Sequence, residues 1–295
     1  MRVTQLQLEL VLDHKATLGE GPCWDQRNGT LYWVDIKQNQ VHAYDPRQGT
    51  NSTITLDQMV GAAVPRAGGG LVLALQHGFH LLNWETGELT FIDDPERDKP
   101  DNRFNDGKCD AAGRFWAGTL SFEEKEPVAA LYVLEKDRKV RKVLDGVTVS
   151  NGLGWSPDGC TMYYIDSPTR RVVAYDYDVE TGSMSSVRTV LSLPEGGGFP
   201  DGMTVDAEGM LWVAQWDGWQ VSRWNPQTGE QIAAISVPAA RVTSCTFGGE
   251  DNDELYITTA RTGLSEEELA KQPHAGGVFR IKPGVHGLPT HTFGG

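Results

Sequence analysis

Trp155-Ser156-Pro157-Asp158-Gly159-Cys160-Thr161-Met162-Tyr163-Tyr164 carries the pattern that decides the fold. An apolar residue closes one extended segment, a cluster of turn formers reverses the chain, and an aromatic-rich segment opens the next. Ser or Asp opening a turn and Gly closing it is type I turn chemistry, so the stretch predicts a β-hairpin. The same pattern stands at Trp24-Asp25…Gly29 into Leu31-Tyr32-Trp33, at Val64…Gly70 into Leu71-Val72-Leu73, and at Cys109-Asp110…Gly113 into Phe115-Trp116. It returns at Val205-Asp206…Gly209 into Leu211-Trp212-Val213 and at Phe247-Gly248…Asp253 into Leu255-Tyr256-Ile257. Successive copies are 40, 45, 46, 50 and 42 residues apart. A near-constant period of this size, made of short strands and tight turns, is the signature of a β-propeller, and six copies predict six blades.

Each repeat divides into four alternating segments, most plainly in the fourth: Asn151 to Ser156, Thr161 to Ser167, Arg171 to Asp178 and Arg188 to Leu193. The expected fold is therefore all-β, a six-bladed β-propeller whose blades are four-stranded antiparallel sheets, with residues 1–295 forming one domain. The last repeat supplies only three strands, Thr243 to Gly248, Glu254 to Ala260 and Gly277 to Lys282. The amphipathic stretch Val3 to Leu12 is left over, and an N-terminal strand closing the last blade would hide both edges. Two segments break the rhythm. Ser265-Glu266-Glu267-Glu268 reads as a capping box opening a short helix that Pro273 stops, and residues 121–128 form a charged loop in blade 3.

Composition narrows the partners. With 26 Lys and Arg against 40 Asp and Glu the chain carries −14, and it has no basic cluster, so neither nucleic acid nor an anionic membrane is an expected partner. Met1 to Leu12 has no continuous apolar stretch of the kind a secretory leader needs, and no segment reaches the roughly 18 apolar residues of a membrane span. A cytoplasmic monomer or weak homo-oligomer is expected. Cys23, Cys109, Cys160 and Cys245 form no CxxC pair and read as free core thiols. His77-Gly78-Phe79-His80 has no acidic companion and reads as ordinary surface or core histidine rather than a metal site.

In a propeller the first strand of every blade lines the central channel, so equivalent repeat positions converge on the axis. Four residues before each alignment point stand Glu20, Val60, Asn105, Asn151, Asp201 and Thr243. Each Asn or Asp before Gly could singly be a turn residue. Together at one repeat position, two acids and two amides describe a site for a hard cation. Glu20, Asn151 and Asp201 offer only oxygen donors, which suit Ca²⁺, Mg²⁺ or Mn²⁺, with Zn²⁺ or Fe²⁺ if the site stays open to water.

Leu18-Gly19-Glu20-Gly21-Pro22, Asn102-Arg103-Phe104-Asn105-Asp106-Gly107-Lys108, Ser150-Asn151-Gly152-Leu153 and Pro200-Asp201-Gly202 resemble the senescence marker protein-30/gluconolactonase family, also called the regucalcin or sugar-lactonase family. The resemblance runs from Leu18 to about Phe293. It implies one divalent cation in the channel and hydrolysis of sugar (aldono-) lactones. Carried over position by position, it makes Glu20, Asn151 and Asp201 the metal ligands and Asp201 also the catalytic base. Arg103 and Asn105 match its substrate contacts, and its acidic substrate contact falls at Glu123, with Glu124 as the neighbouring register.

The chemistry agrees with that set. A lactone is an ester, so its hydrolysis needs a stabiliser for the developing oxyanion, a base for water and groups that position the ring. A divalent cation supplies the first and acidifies water, which lets Asp201 serve as base although the cation favours its anion. Arg103 could instead pair with Asp106. Two other readings stand beside this one: a non-enzymatic calcium-binding propeller, and a related propeller hydrolase of non-sugar lactones or organophosphates. Trp212 and Trp224 read as core, whereas Trp216 and Trp219 flank a turn near the channel mouth.

Overall fold

The computed structural model describes residues 7–295 and contains six four-stranded antiparallel sheets. Their innermost strands are Gly19–Asp25, Val60–Pro65, Asn102–Cys109, Ser150–Trp155, Phe199–Val205 and Arg241–Gly248. Each packs on the next around the ring, and the sixth packs on the first. The ring closes as expected, because Glu9–Leu12 pairs with Val278–Ile281 and becomes the outer strand of the sixth blade. Val3 to Leu6, the first part of the predicted closing strand, lies outside the described residues.

The repeat motif has a physical cause in its buried Asp. Asp110 accepts hydrogen bonds from Trp116 Nε1 at 2.9 Å and Tyr177 OH at 2.6 Å, and from the Arg114 N–H that ends its own turn. Asp206 repeats the device in blade 5, taking Trp212 Nε1 at 2.9 Å together with the Glu208 and Met210 N–H groups. One carboxylate thus folds a hairpin turn and fixes the indole on the following strand. Trp212 and Trp224 are buried as expected. Among the cysteines Cys23, Cys109 and Cys245 are buried, but Cys160 is exposed, because it sits in the turn after Gly159 and not on the strand beyond it. Burial pushes the Cys23 thiol up to about 12, which leaves it inert.

The helix covers Glu266–Lys271 and starts with the full capping box between Ser265 and Glu268. It is too short to cross a membrane, and no helix of the described residues is long and apolar enough to do so. The chain end folds back beneath the ring. Phe293 is fully buried, its N–H bonds Pro65 O, and residues 288–291 line the lower end of the channel.

The feature of the fold that matters most for function is a register irregularity in every inner strand. It falls between Glu20 and Cys23, Val60 and Ala62, Phe104 and Gly107, Ser150 and Leu153, Pro200 and Met203, and Val242 and Ser244. A β-bulge bends its strand and re-aims a side chain. In all six blades it brackets or adjoins the residue at the convergent position. The Gly that follows has a packing reason: a Cβ on Gly152 would lie 2.8 Å from Asp201 O, and one on Gly202 would lie 2.1 Å from Ser244 Oγ. Asn151-Gly152 and Asp201-Gly202 are therefore bulged strand, and the glycine admits the neighbouring blade.

Candidate active site

Two cavities occupy the two ends of the channel. The first halves of the inner strands line one of about 570 Å³, which includes Glu20, Arg103, Asn105, Asn151 and Asp201. The second halves line a smaller one of about 240 Å³ under the C-terminal segment. Lys108, which lines the smaller cavity, reaches from blade 3 and donates from Nζ to Met203 O of blade 5 at 2.7 Å.

Glu20 and Asn151 are placed by the same local device. Asp35 receives the N–H groups of Thr17 and Leu18 at 2.7 and 3.0 Å, and Asp166 receives those of Thr148 and Val149 at 3.1 and 2.9 Å. In each blade a carboxylate at the end of the second strand fixes the backbone just ahead of the channel residue. Thr243, at the same position in blade 6, turns away and bonds Gly19 O, while Val60 is buried in an apolar core cluster and lines neither cavity.

The amide of Asn151 has a determined orientation. Ser167 Oγ donates its single hydrogen to Pro200 O at 2.6 Å, so it must accept from Asn151 Nδ2 at 2.8 Å. That leaves Asn151 Oδ1 on the channel side, where it accepts from Asn105 Nδ2 at 3.2 Å. Asn105 Nδ2 also donates to Ser150 O at 2.8 Å, and its Oδ1 accepts from Arg103 Nη1 at 2.8 Å. Asn105 therefore links Arg103 to Asn151 as well as facing the cavity.

The electrostatics of the site are those of anions short of a counter-ion. Burial, followed by the negative field of Asp106, pushes the Glu20 carboxyl up to about 8, against a hydrogen bond from the Gly21 N–H at 2.7 Å. Asp201 is raised well above the carboxylate range by burial and then by Glu20, Asp106 and Glu124, with Asn151 acting the other way. Arg103 is fully enclosed, and burial brings its guanidinium down to about 10 despite the attraction of Glu124, Glu20 and Asp201. It does not pair with Asp106. Its protein acceptors are Phe104 O and Asn105 Oδ1, both bonded through Nη1. Three of the five guanidinium N–H donors have no protein acceptor among the described residues.

No group of three or more His, Cys, Asp or Glu among the described residues is arranged to hold a metal ion. The convergent set is of another composition: two carboxylates and one inward amide oxygen. Those hard oxygen donors, with both carboxyls destabilised as anions by burial and by the negative field of Asp106, fit a divalent cation.

The loop of residues 121–128 places its acids differently from the position expected first. Both acids are exposed, but Glu124 lines the cavity and Glu123 does not. The reason is a turn in which the Glu124 N–H bonds Ser121 O at 3.0 Å with Glu124 in the left-handed region at φ 53°. Trp216 lines the mouth, whereas Trp219 is 45% exposed and outside the lining. Ser167 escaped the sequence reading. Its signal is a comparison of blades, because Asp35-Ile36 and Asp166-Ser167 are equivalent and only the fourth blade has a hydroxyl there.

A closed six-bladed ring with a buried, oxygen-lined cavity at one end of its axis defines a propeller whose site lies in the channel. The sequence matches the family described as SMP-30/Gluconolactonase/LRE-like region over residues 18–261, and the chain belongs to that family. Regucalcin of Xenopus laevis is 42% identical over 299 residues, spanning 99% of this chain and 100% of that protein. YvrE of Bacillus subtilis (strain 168), named as a candidate sugar lactone lactonase, is 42% identical over 286 residues, 97% of this chain and 98% of its own. A solved structure of a calcium-binding protein, regucalcin from Agrobacterium tumefaciens, superposes with a TM-score of 0.94 at 28% identity, covering 98% of this chain and 97% of that one.

Proposed function

We propose that the protein is a divalent-cation-dependent hydrolase of sugar lactones, opening them to the corresponding aldonic acids. The observation that carries this reading is the buried Arg103, with three N–H donors open beside the oxygen set of Glu20, Asn151 and Asp201. A site that only stores a cation has no use for an enclosed guanidinium with open donors. A polyhydroxylated ring in this cavity does. The name of YvrE and the family description support the same substrate class, and the description of the Agrobacterium protein as calcium-binding supports the cation in this reading.

Glu20, Asn151 and Asp201 would hold the ion, which when bound supplies Lewis-acid polarisation of the ester carbonyl and acidifies water. Asp201 accepts a proton from the attacking water as the water oxygen bonds the carbonyl carbon. The ring C–O bond then breaks, and Asp201 returns that proton to the departing ring oxygen, which leaves as a hydroxyl while the carbonyl carbon becomes the carboxylic acid. Arg103 meets the ring or carbonyl oxygens, Asn105 a hydroxyl through its remaining lone pair, and Glu124, in place of Glu123, the hydroxyls on the blade 3 side.

Ser167→Ala is expected to free the Asn151 amide to turn and so weaken cation binding by about 10- to 100-fold, the range for partners that orient metal ligands. Calorimetric titration with Ca²⁺ or Mn²⁺ checks this, and unchanged affinity would remove Ser167 from that role. The substrate class is tested by proton release from five- and six-carbon aldonolactones, alkyl lactones and an organophosphate triester. Sugar lactones should be turned over best. Faster turnover of alkyl lactones or the triester would assign the protein to the other hydrolase class.

A further inference from the structure

The wall of the large cavity formed by blades 1 and 6 carries two cations that lactone opening does not use. Lys37, in the tight turn after the second strand of blade 1, donates from Nζ to Thr262 Oγ1 at 2.7 Å. Arg241, which opens the inner strand of blade 6, donates from Nη2 to Gly263 O at 3.3 Å. Both cations line the cavity, as do Thr262 and Gly263, so they flank one turn from two adjoining blades. Blade 6 stands across the ring from blade 3, which carries Arg103 and Glu124.

The two cations are held differently. Arg241 is fixed by an ion pair with Asp217 at 3.2 Å and by its position 4.8 Å over the Trp216 ring. Lys37 is exposed, and among the described residues its partner is the Thr262 hydroxyl, with no ion pair to a carboxylate. Asp217 offsets the Arg241 charge, so the uncompensated positive charge on this wall is that of Lys37. The acids of the cavity lie elsewhere: Glu20 and Asp201 at the bulges of the inner strands, and Glu124 on the opposite loop. A cavity of about 570 Å³ lies within the usual range for small-molecule sites, about 300–1,000 Å³.

We propose that Lys37 and Arg241 form a subsite for an anionic group at the end of the substrate remote from the ester, a carboxylate or a phosphate ester. This rests on the lactonase reading above and narrows it from neutral aldonolactones to lactones with a charged tail. The ester carbonyl lies at Glu20, Asn151 and Asp201, and the far end of the sugar chain reaches the turn at residues 262–263. Lys37 contributes a charge with no carboxylate partner and Arg241 a pre-oriented guanidinium. Because Lys37 is exposed, the attraction weakens as salt rises.

The test compares kcat/KM for three lactones of one hexose: the neutral aldonolactone, its analogue with a terminal carboxylate, and its analogue with a terminal phosphate. An anionic lactone should be preferred by about tenfold or more, as expected for one charge-assisted hydrogen bond. Which of the two is preferred identifies the anion. In Lys37→Gln that preference ratio should fall by about tenfold, and raised salt should lower it in the unmodified protein. Preference for the neutral lactone, or a ratio unchanged in Lys37→Gln, would overturn the subsite. Calorimetric binding of the three product acids reads the subsite without turnover. Tighter binding of the acid with the second anionic group, lost in Lys37→Gln, supports it even if no lactone is hydrolysed, a result that would sink the lactonase reading alone. Equal binding of all three acids overturns it.

Discussion

Asp201→Asn is expected to lower kcat by roughly 10² or more while leaving the propeller folded and a cation still bound. The substituted side chain keeps one carbonyl oxygen toward the channel but cannot accept a proton. Asp201 is the residue of the set best placed for that role. It lies buried between Glu20 and Asn151, and its anion is destabilised by Glu20, Asp106 and Glu124. A divalent cation between these groups reverses the balance, since an opposite charge within about 4–6 Å favours the ionised form. The fold should survive because each blade has its own buried core and the substitution is nearly isosteric. Steady-state kinetics at saturating metal, with occupancy measured separately, check the prediction. Near-normal kcat at full occupancy would show that another group takes the proton.

Arg103→Ala is expected to lower kcat/KM toward five- and six-carbon aldonolactones by about one to two orders of magnitude. Each charge-assisted hydrogen bond is worth roughly 1.5–3 kcal/mol, and 1.4 kcal/mol is about tenfold in rate. A simple unsubstituted lactone should lose much less, having no hydroxyls for the three open donors. The chain from Arg103 Nη1 through Asn105 to Asn151 Oδ1 offers a second route for the loss. Cation affinity separates the two. If it falls in step with kcat/KM on both substrates, Arg103 acts by positioning Asn151; if it is preserved, the guanidinium acts on the substrate.

The blades were legible in the sequence because their turns are local chemistry: Asp158-Gly159 or Asp206 with Gly209 specifies a hairpin wherever it stands. Convergence at Glu20, Asn151 and Asp201 was legible for the same reason, since a repeat converts sequence position into spatial position. The bulges were not. A residue inserted between Ser150 and Leu153 leaves no mark on an apolar alternation that is buried on both faces, so Asn151-Gly152 could be read as a loop. The Glu123 and Glu124 alternative depended on one left-handed residue, which no spacing rule fixes. Ser167 was hidden because its role is to orient another side chain, and only the contrast with Ile36 in the equivalent place exposes it.

The central claim is that hydrolysis depends on one divalent cation held at Glu20, Asn151 and Asp201. It is tested most directly by stripping the purified protein with a chelator and following proton release from a six-carbon aldonolactone as Ca²⁺, Mg²⁺, Mn²⁺, Zn²⁺ or Fe²⁺ is titrated back. The account predicts loss of activity on chelation and its return as one ion per chain binds. Full hydrolysis by the metal-free protein, or recovery that needs no binding at these residues, would contradict it.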